Sequence, residues 1–397
     1  MWTRRASTGE LVGGPRPLGV GSGTQTPTPV IDAVADALGN PLSIRGSVAP
    51  GEVNAETIVA EFCRAMADLL GADPRGIVFG RSATQLTYDF SRILARTWRA
   101  GDEIVVSRLD HDANIRPWIQ AAEPAGAQVR WADFDPVTGE LPASAVGDLL
   151  TERTRLVAVT AASNLIGTRP AVAGMARLVH RAGALLFVDG VHYAAHEFVD
   201  VTDLGADFFV CSPYKFFGPH HGVLAARPEL LETLNPDKLL PSADMVPERF
   251  ELGTLPYEAL AGTRAAVDFL AGLAAEGSRE RRERLRSAFS LIARHEAVLR
   301  GRLETALSVM EGVTVHSRAA DRTPTLLLTF DDRAAADAYG FLGRLGVHAP
   351  AGSFYAVEAS RHLGLGDSGG LRLGLSPYSD TSDVDRLLAG LADFLKS

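Results

Sequence analysis

Between residues 77 and 212, short and nearly continuous apolar runs alternate with stretches of helical spacing. The runs are IVFG (77–80), EIVVS (103–107), QVRWAD (128–133), RLVAVT (155–160), ALLFVDG (184–190) and DFFVCS (207–212). A strand covered on one face alternates polar and apolar positions, whereas a strand covered on both faces is apolar throughout. Such runs, divided by helical segments, predict an α/β fold whose mainly parallel sheet carries helices on both sides. Upstream, VIDAVADALG (30–39) and AETIVAEFCRAMADLLG (55–71) carry helical periodicity, and each closes on a glycine. Residues 9–29, rich in Gly, Pro and Thr, read as an irregular lead-in. From about 257 to 310 the spacing is helical again. The charges of 279–286 interleave Arg with Glu280 and Glu283 ahead of an apolar stripe, which predicts a solvated helix face rather than a basic patch. The remainder mixes strands (TLLLTF, LRLGL) with helices, as a smaller α+β domain would.

A chain of 397 residues exceeds what one hydrophobic core organises. Two domains are expected: a large α/β domain over 20–250 and a small α+β domain over 251–397, with the tail 1–19 packed on the latter. A net charge of −9 argues against nucleic acid or an anionic membrane as partner. The only cysteines, Cys63 and Cys211, allow no disulfide framework and suit a reducing compartment. Arg4-Arg5 raises a twin-arginine export signal, but no apolar run follows the pair. No stretch reaches 18 uninterrupted apolar residues, so no membrane span and a cytoplasmic location are expected. No metal site is expected.

The chemistry concentrates in FVDGVHYAAHEFVDVTDLGADFFVCSPYKFFGPHHG, residues 187–222. Asp189 ends one apolar run, where open α/β sheets present their ligand-facing edge. Lys215 follows the next run, where burial can strip its amine of charge and leave it nucleophilic. An imine-forming lysine beside an anion that keeps a pyridine nitrogen protonated is what pyridoxal phosphate (PLP) requires. Further upstream, FGRSATQLTYDFSRIL (79–94) reads as strand, tight turn and helix. Its turn serves equally as an N-cap by Ser82 or as a phosphate site on free backbone N–H groups. No GxGxxG or GxxxxGK[ST] opens a helix after a strand, which removes a nucleotide-binding reading.

These residues resemble the class V aminotransferase and cysteine desulfurase family of fold-type I PLP-dependent transferases, from about residue 20 to the end. The resemblance implies PLP held as a Schiff base on Lys215, with Asp189 on the pyridine nitrogen and His192 at the phenolic oxygen. By the same resemblance His111 stacks on the ring and moves protons, which makes Lys215, His111 and Asp189 the catalytic set. Ala83, Thr84, Ser212 and Tyr214 would hold phosphate, and Asn164 would meet the cofactor oxygen or the substrate carboxylate. Thr254, in RFELGTLP (249–256), would reach the phosphate of a second subunit, so a homodimer with shared sites is implied. Arg372, in LRLGLSPYSD (371–380), stands where the family binds the substrate α-carboxylate.

One departure bears on the reaction. Cysteine desulfurases take sulfur onto a loop thiol, but the matching stretch HAPAGSFYAVEASRHLG (348–364) has no cysteine, and Tyr355 stands at the thiol's place. Pro350 stands near the place of a family arginine. The expectation is an enzyme acting on an amino acid through an external aldimine, by C–S β-elimination on a cysteine-derived substrate without a persulfide. Transamination is the alternative, with racemisation or decarboxylation behind it, and a binding module without turnover is the reading from outside enzymology.

Overall fold

The computed structural model describes residues 24–274 and 280–397. The expected packing of the tail 1–19, and Arg279 of the charged run, lie outside the described residues. Strands β1 (Ile77–Gly80), β2 (Glu103–Ser107), β3 (Gln128–Ala132), β4 (Thr154–Thr160), β5 (Leu185–Asp189), β6 (Phe208–Cys211) and β7 (Gly222–Ala226) form one sheet, ordered β1-β7-β6-β5-β4-β2-β3. β2, β3, β4, β5 and β6 are mutually parallel, and β7 runs against both β6 and β1. The six runs read from the sequence are these first six strands, within a residue or two at each end.

Side chains alternate between two cores. Val105, Val157, Val188 and Phe209 point to one face, and Ile104, Val106, Phe187 and Val210 to the other. Both faces are buried, so the runs carry no polar alternation.

Helices of ten residues or more are α1 (Thr28–Gly39), α2 (Pro50–Leu70), α3 (Ala83–Ala95), α4 (Arg116–Ala125), α5 (Val172–Arg181), α6 (Tyr257–Gly272), α7 (Arg281–Leu307), α8 (Ala335–Arg344) and α9 (Thr381–Lys396). α2 begins five residues before the position that periodicity suggests, with Pro50 in its first turn. Proline fits there because that N–H has no helical partner to lose. α6 packs against α1 and α2. A second, antiparallel sheet, ordered β10-β11-β9-β8, joins β8 (Val313–Val315), β9 (Thr325–Phe330), β10 (Ala351–Gly352) and β11 (Gly370–Gly374). Its core is closed by Leu299 and Leu303 of α7, Leu342 of α8 and Leu387 of α9. No described helix is long and apolar enough to cross a membrane.

Candidate active site

Adjacent strands carry four candidate side chains to one edge of the large sheet. Lys215 follows β6, Asp189 ends β5, Asn164 follows β4 and His111 follows β2. The carboxyl edge of an open α/β sheet is where ligands bind. With Arg372 from β11, these residues line a cavity of about 650 Å3, within the ~300–1,000 Å3 common for small-molecule sites. Ala83, Thr84, His192, Ser212, Tyr214 and Tyr355 line it too. Thr254 does not: it is exposed, in the loop before α6.

Electrostatics follow from burial. Lys215 is 7% exposed. Burial, helped by the Arg372 charge and opposed by Asp189, brings its amine down to about 7. Asp189 is pushed up to about 6 by burial, against the Val191 N–H that its Oδ1 accepts at 2.9 Å and the charge of Lys215. His111 is held near 4 by burial and by the Lys215 charge, so its ring is neutral at pH 7. Its Nδ1 accepts the Ala113 N–H at 3.0 Å, and its ring stacks on Tyr355 with centroids 5.4 Å apart. Asp110, which follows β2 and feels the Asp189 charge, is fully buried and raised to about 8, chiefly by burial, and is bonded to Ser107 and to Asn114 Nδ2 at 2.6 Å.

Arg372 is buried with its guanidinium 3.6 Å above the Phe354 ring. Nη1 donates to the Asn164 carbonyl at 3.0 Å, while Nε and Nη2 have no hydrogen bond among the described residues. Asn164 Nδ2 donates to the Phe354 carbonyl at 2.9 Å, and the Asp112 N–H to the Tyr355 carbonyl at 2.7 Å. Phe354 and Tyr355 both lie in the left-handed region, at φ 53° and 60°, which costs on the order of 1 kcal/mol or more for each non-glycine residue. The two hydrogen bonds, the His111 stack and the Glu358–Arg108 pair at 3.0 Å hold that loop in place.

The turn after β1 opens α3 on the cavity. Ser82 is its N-cap, with Oγ accepting the Gln85 N–H at 3.0 Å, so the capping role holds. The N–H groups of a helix's first turn stay free for an anion, so capping and anion binding coexist there. Gly222 makes room: a Cβ on it would fall 2.3 Å from the Ser82 carbonyl carbon. Behind the cavity, Thr24 clamps the lysine turn by donating its N–H to the Tyr214 carbonyl at 3.0 Å and accepting the Phe217 N–H at 2.6 Å.

The donor set fits PLP. An amine of lowered pKa, a buried carboxylate and a free helix N-terminus share one cavity. Two buried polar atoms in its wall, Asn164 Oδ1 and His192 Nδ1, have no partner among the described residues. Sequence reasoning overlooked Asp112, Arg116 and Phe354, which also line the cavity. The four-residue spacing of Asp112 and Arg116, one helical turn and a 2.8 Å ion pair, was the available signal.

The Aminotransferase class-V family profile matches residues 20–387. The aminotransferase-like protein FGM3 of Gibberella zeae is 32% identical over 83% of this chain and 81% of its own length. A cysteine desulfurase of Pectobacterium atrosepticum is 31% identical over 81% of this chain and 78% of its own. The solved structure of the cysteine desulfurase CsdA of Escherichia coli superposes with a TM-score of 0.83, at 26% identity, over 96% of this chain and 94% of that one. The match spans both sheets and every strand end that lines the cavity, and on it the chain belongs to the class V aminotransferase family, as a PLP-dependent enzyme of the cysteine desulfurase-like kind.

Proposed function

We propose that this enzyme is a C–S lyase that cleaves an S-substituted cysteine by β-elimination, releasing the thiol together with pyruvate and ammonium. One observation carries the reading: no thiol faces the cavity. Cys63 and Cys211 are both buried away from it, and burial pushes Cys63 up to about 12 and Cys211 higher still. Sulfur abstraction needs a thiolate as acceptor, whereas elimination needs none.

When bound, PLP withdraws electrons from the substrate Cα and makes its proton acidic. The protein's share is to hold and to move protons. Lys215 would hold the cofactor covalently, and its amine would take the Cα proton and return it to the departing sulfur. A pKa near 7 suits a group that must both accept and donate near neutral pH. Asp189 would face the pyridinium nitrogen, neutral His111 would cover the ring, and His192 would meet the phenolic oxygen. The Ala83 and Thr84 N–H groups, Ser212 and Tyr214 take the phosphate, and Arg372 with Asn164 takes the substrate carboxylate. Tyr355 closes the mouth beside the substrate's sulfur substituent.

Replacing both Cys63 and Cys211 with serine should leave kcat within about twofold, because neither side chain touches the cavity. With an S-alkyl cysteine the expected products are equimolar thiol, pyruvate and ammonium, read by thiol and keto-acid assays. Alanine among the products, or persulfide on either cysteine by mass spectrometry, overturns the reading. A wild type that stalls after one turnover until a keto acid is supplied points instead to the aminotransferase that FGM3's name suggests.

The enzyme works as a homodimer in this proposal, with Thr254 serving the phosphate of the opposite subunit. Thr254 is exposed, as are the apolar side chains Leu239, Leu240, Met245 and Leu252 of the same 239–254 stretch, which suits a surface that meets a second copy. Sedimentation should give a dimer. Thr254→Ala should weaken PLP by about tenfold, one hydrogen bond to a charged group. A monomer with native PLP affinity contradicts the shared site.

A further inference from the structure

Behind His192 lie two buried ionisable residues that the proposed chemistry does not use. The His196 ring packs edge-on against His192, with centroids 4.9 Å apart and planes at 67°. His196 Nδ1 lies 2.9 Å from Glu296 Oε2. Glu296 comes from the middle of α7, on the buried stripe formed by Leu285, Ile292, Leu299 and Leu303. It is 3% exposed and His196 is 1% exposed. A carboxyl at such a position is costly to bury, and an apolar residue of similar size would avoid that cost. Burial accordingly raises the Glu296 pKa.

The geometry at His192 suggests what the pair is for. Its Nε2 lies 3.1 Å from Thr323 Oγ1 and 3.0 Å from Thr325 Oγ1, two hydroxyls that can donate to it. Burial first, and the charges of His196, Lys215 and Arg372 after it, hold this imidazole neutral. A neutral imidazole donates from one nitrogen only. When the Thr325 hydroxyl donates to Nε2, the proton falls on Nδ1, the buried ring nitrogen that has no partner among the described residues. An N–H there can serve an oxygen in the cavity only if the ring keeps its rotation. The threonines grip one nitrogen, and His196, itself fixed by Glu296, blocks the ring from the other side.

We propose that His196 and Glu296 are a positioning pair, which locks the His192 ring so that Nδ1 donates to the cofactor's phenolic oxygen. The proposal rests on the assignment of His192 to that oxygen. Partners of this outer kind typically change the affinity of the group they support about 10–100-fold. The pair also links the turn after β5 to α7, which closes the core of the small sheet.

The test uses holoenzyme variants, with PLP dissociation constant, cofactor absorption band and apoenzyme melting temperature as readouts. Glu296→Leu should weaken PLP at least about tenfold and shift the absorption band, while the apoenzyme melts no lower than the wild type. Glu296→Gln, which keeps a hydrogen-bonding group on His196, should restore affinity to within about threefold. A Glu296→Leu protein with native affinity and band and a lowered melting temperature shows that the pair merely ties α7 down, and overturns the proposal. If that variant does not fold, His196→Phe, which keeps the ring's bulk, is read by the same criteria. His192→Ala separates the two levels. If it shifts affinity and band while Glu296→Leu and His196→Phe do not, the positioning pair alone is refuted. If His192→Ala changes neither, the assignment of His192 to the cofactor falls as well.

Discussion

Lys215→Ala is expected to abolish covalent retention of PLP and to lower turnover by at least about 10^3-fold, through loss of both the attachment point and the Cα base. Borohydride reduction of the wild type, followed by peptide mapping, should place the reduced cofactor on Lys215. The variant should release its cofactor on gel filtration. The depressed amine pKa adds a second signature. Below about 7 the buried Lys215 is an ammonium and cannot attack a carbonyl, and above it the free amine predominates. The rate at which apoenzyme takes up PLP should therefore rise with pH, with a midpoint near 7, and then level. A lysine with its ordinary value of 10.5 would keep gaining rate well into the alkaline range. A covalent cofactor surviving in Lys215→Ala assigns the attachment to another lysine and removes the foundation of the site.

Arg372→Ala should lower kcat/KM for an α-amino acid by roughly 10^2–10^3-fold. The guanidinium is buried, and its Nε and Nη2 have no partner among the described residues, so two charge-assisted hydrogen bonds to a carboxylate are on offer. Their loss costs about 3–4 kcal/mol, and each 1.36 kcal/mol is a factor of ten. Arg372→Lys should recover little, because an ammonium cannot copy the planar fork or its stacking on Phe354. PLP affinity should stay near native in both variants. A carboxylate-bearing substrate turned over normally by Arg372→Ala places the carboxylate elsewhere.

The strands that build the cavity were legible because each is apolar on both faces and ends at a polar residue on the ligand edge. β7 was not. Its GVLAA segment (222–226) follows the lysine turn by chain reversal, without the intervening helix on which the alternation pattern depends. β10, two residues long, offers no pattern to read. Asp189 and Lys215 stand out in the sequence because chemistry and strand position coincide locally, whereas Arg372 stands out only by family resemblance. His196 and Glu296, 100 residues apart, acquire meaning only when α7 meets the turn after β5. Asp110 carries no signal of its own in the sequence; the fold brings it close enough to Asp189 for the two carboxyls to feel each other. Long-range pairing of buried polar groups has no periodic signature.

The Phe354–Tyr355 loop, its two strained residues held at their carbonyls by the Asn164 side-chain amide and the Asp112 N–H, also bears on how the active site could be converted to another reaction. To carry sulfur from a substrate inside the cavity to an acceptor outside it, a loop thiol would have to move. Here the same stretch behaves as masonry. Tyr355, 74% exposed at its outer end, forms the rim of the opening, while its backbone is bonded into the wall. Writing a cysteine at 355 would thus supply a nucleophile without a vehicle. To make a sulfur donor of this scaffold, the fastenings at Asn164, Asp112 and Glu358 would have to be loosened together with the change of side chain.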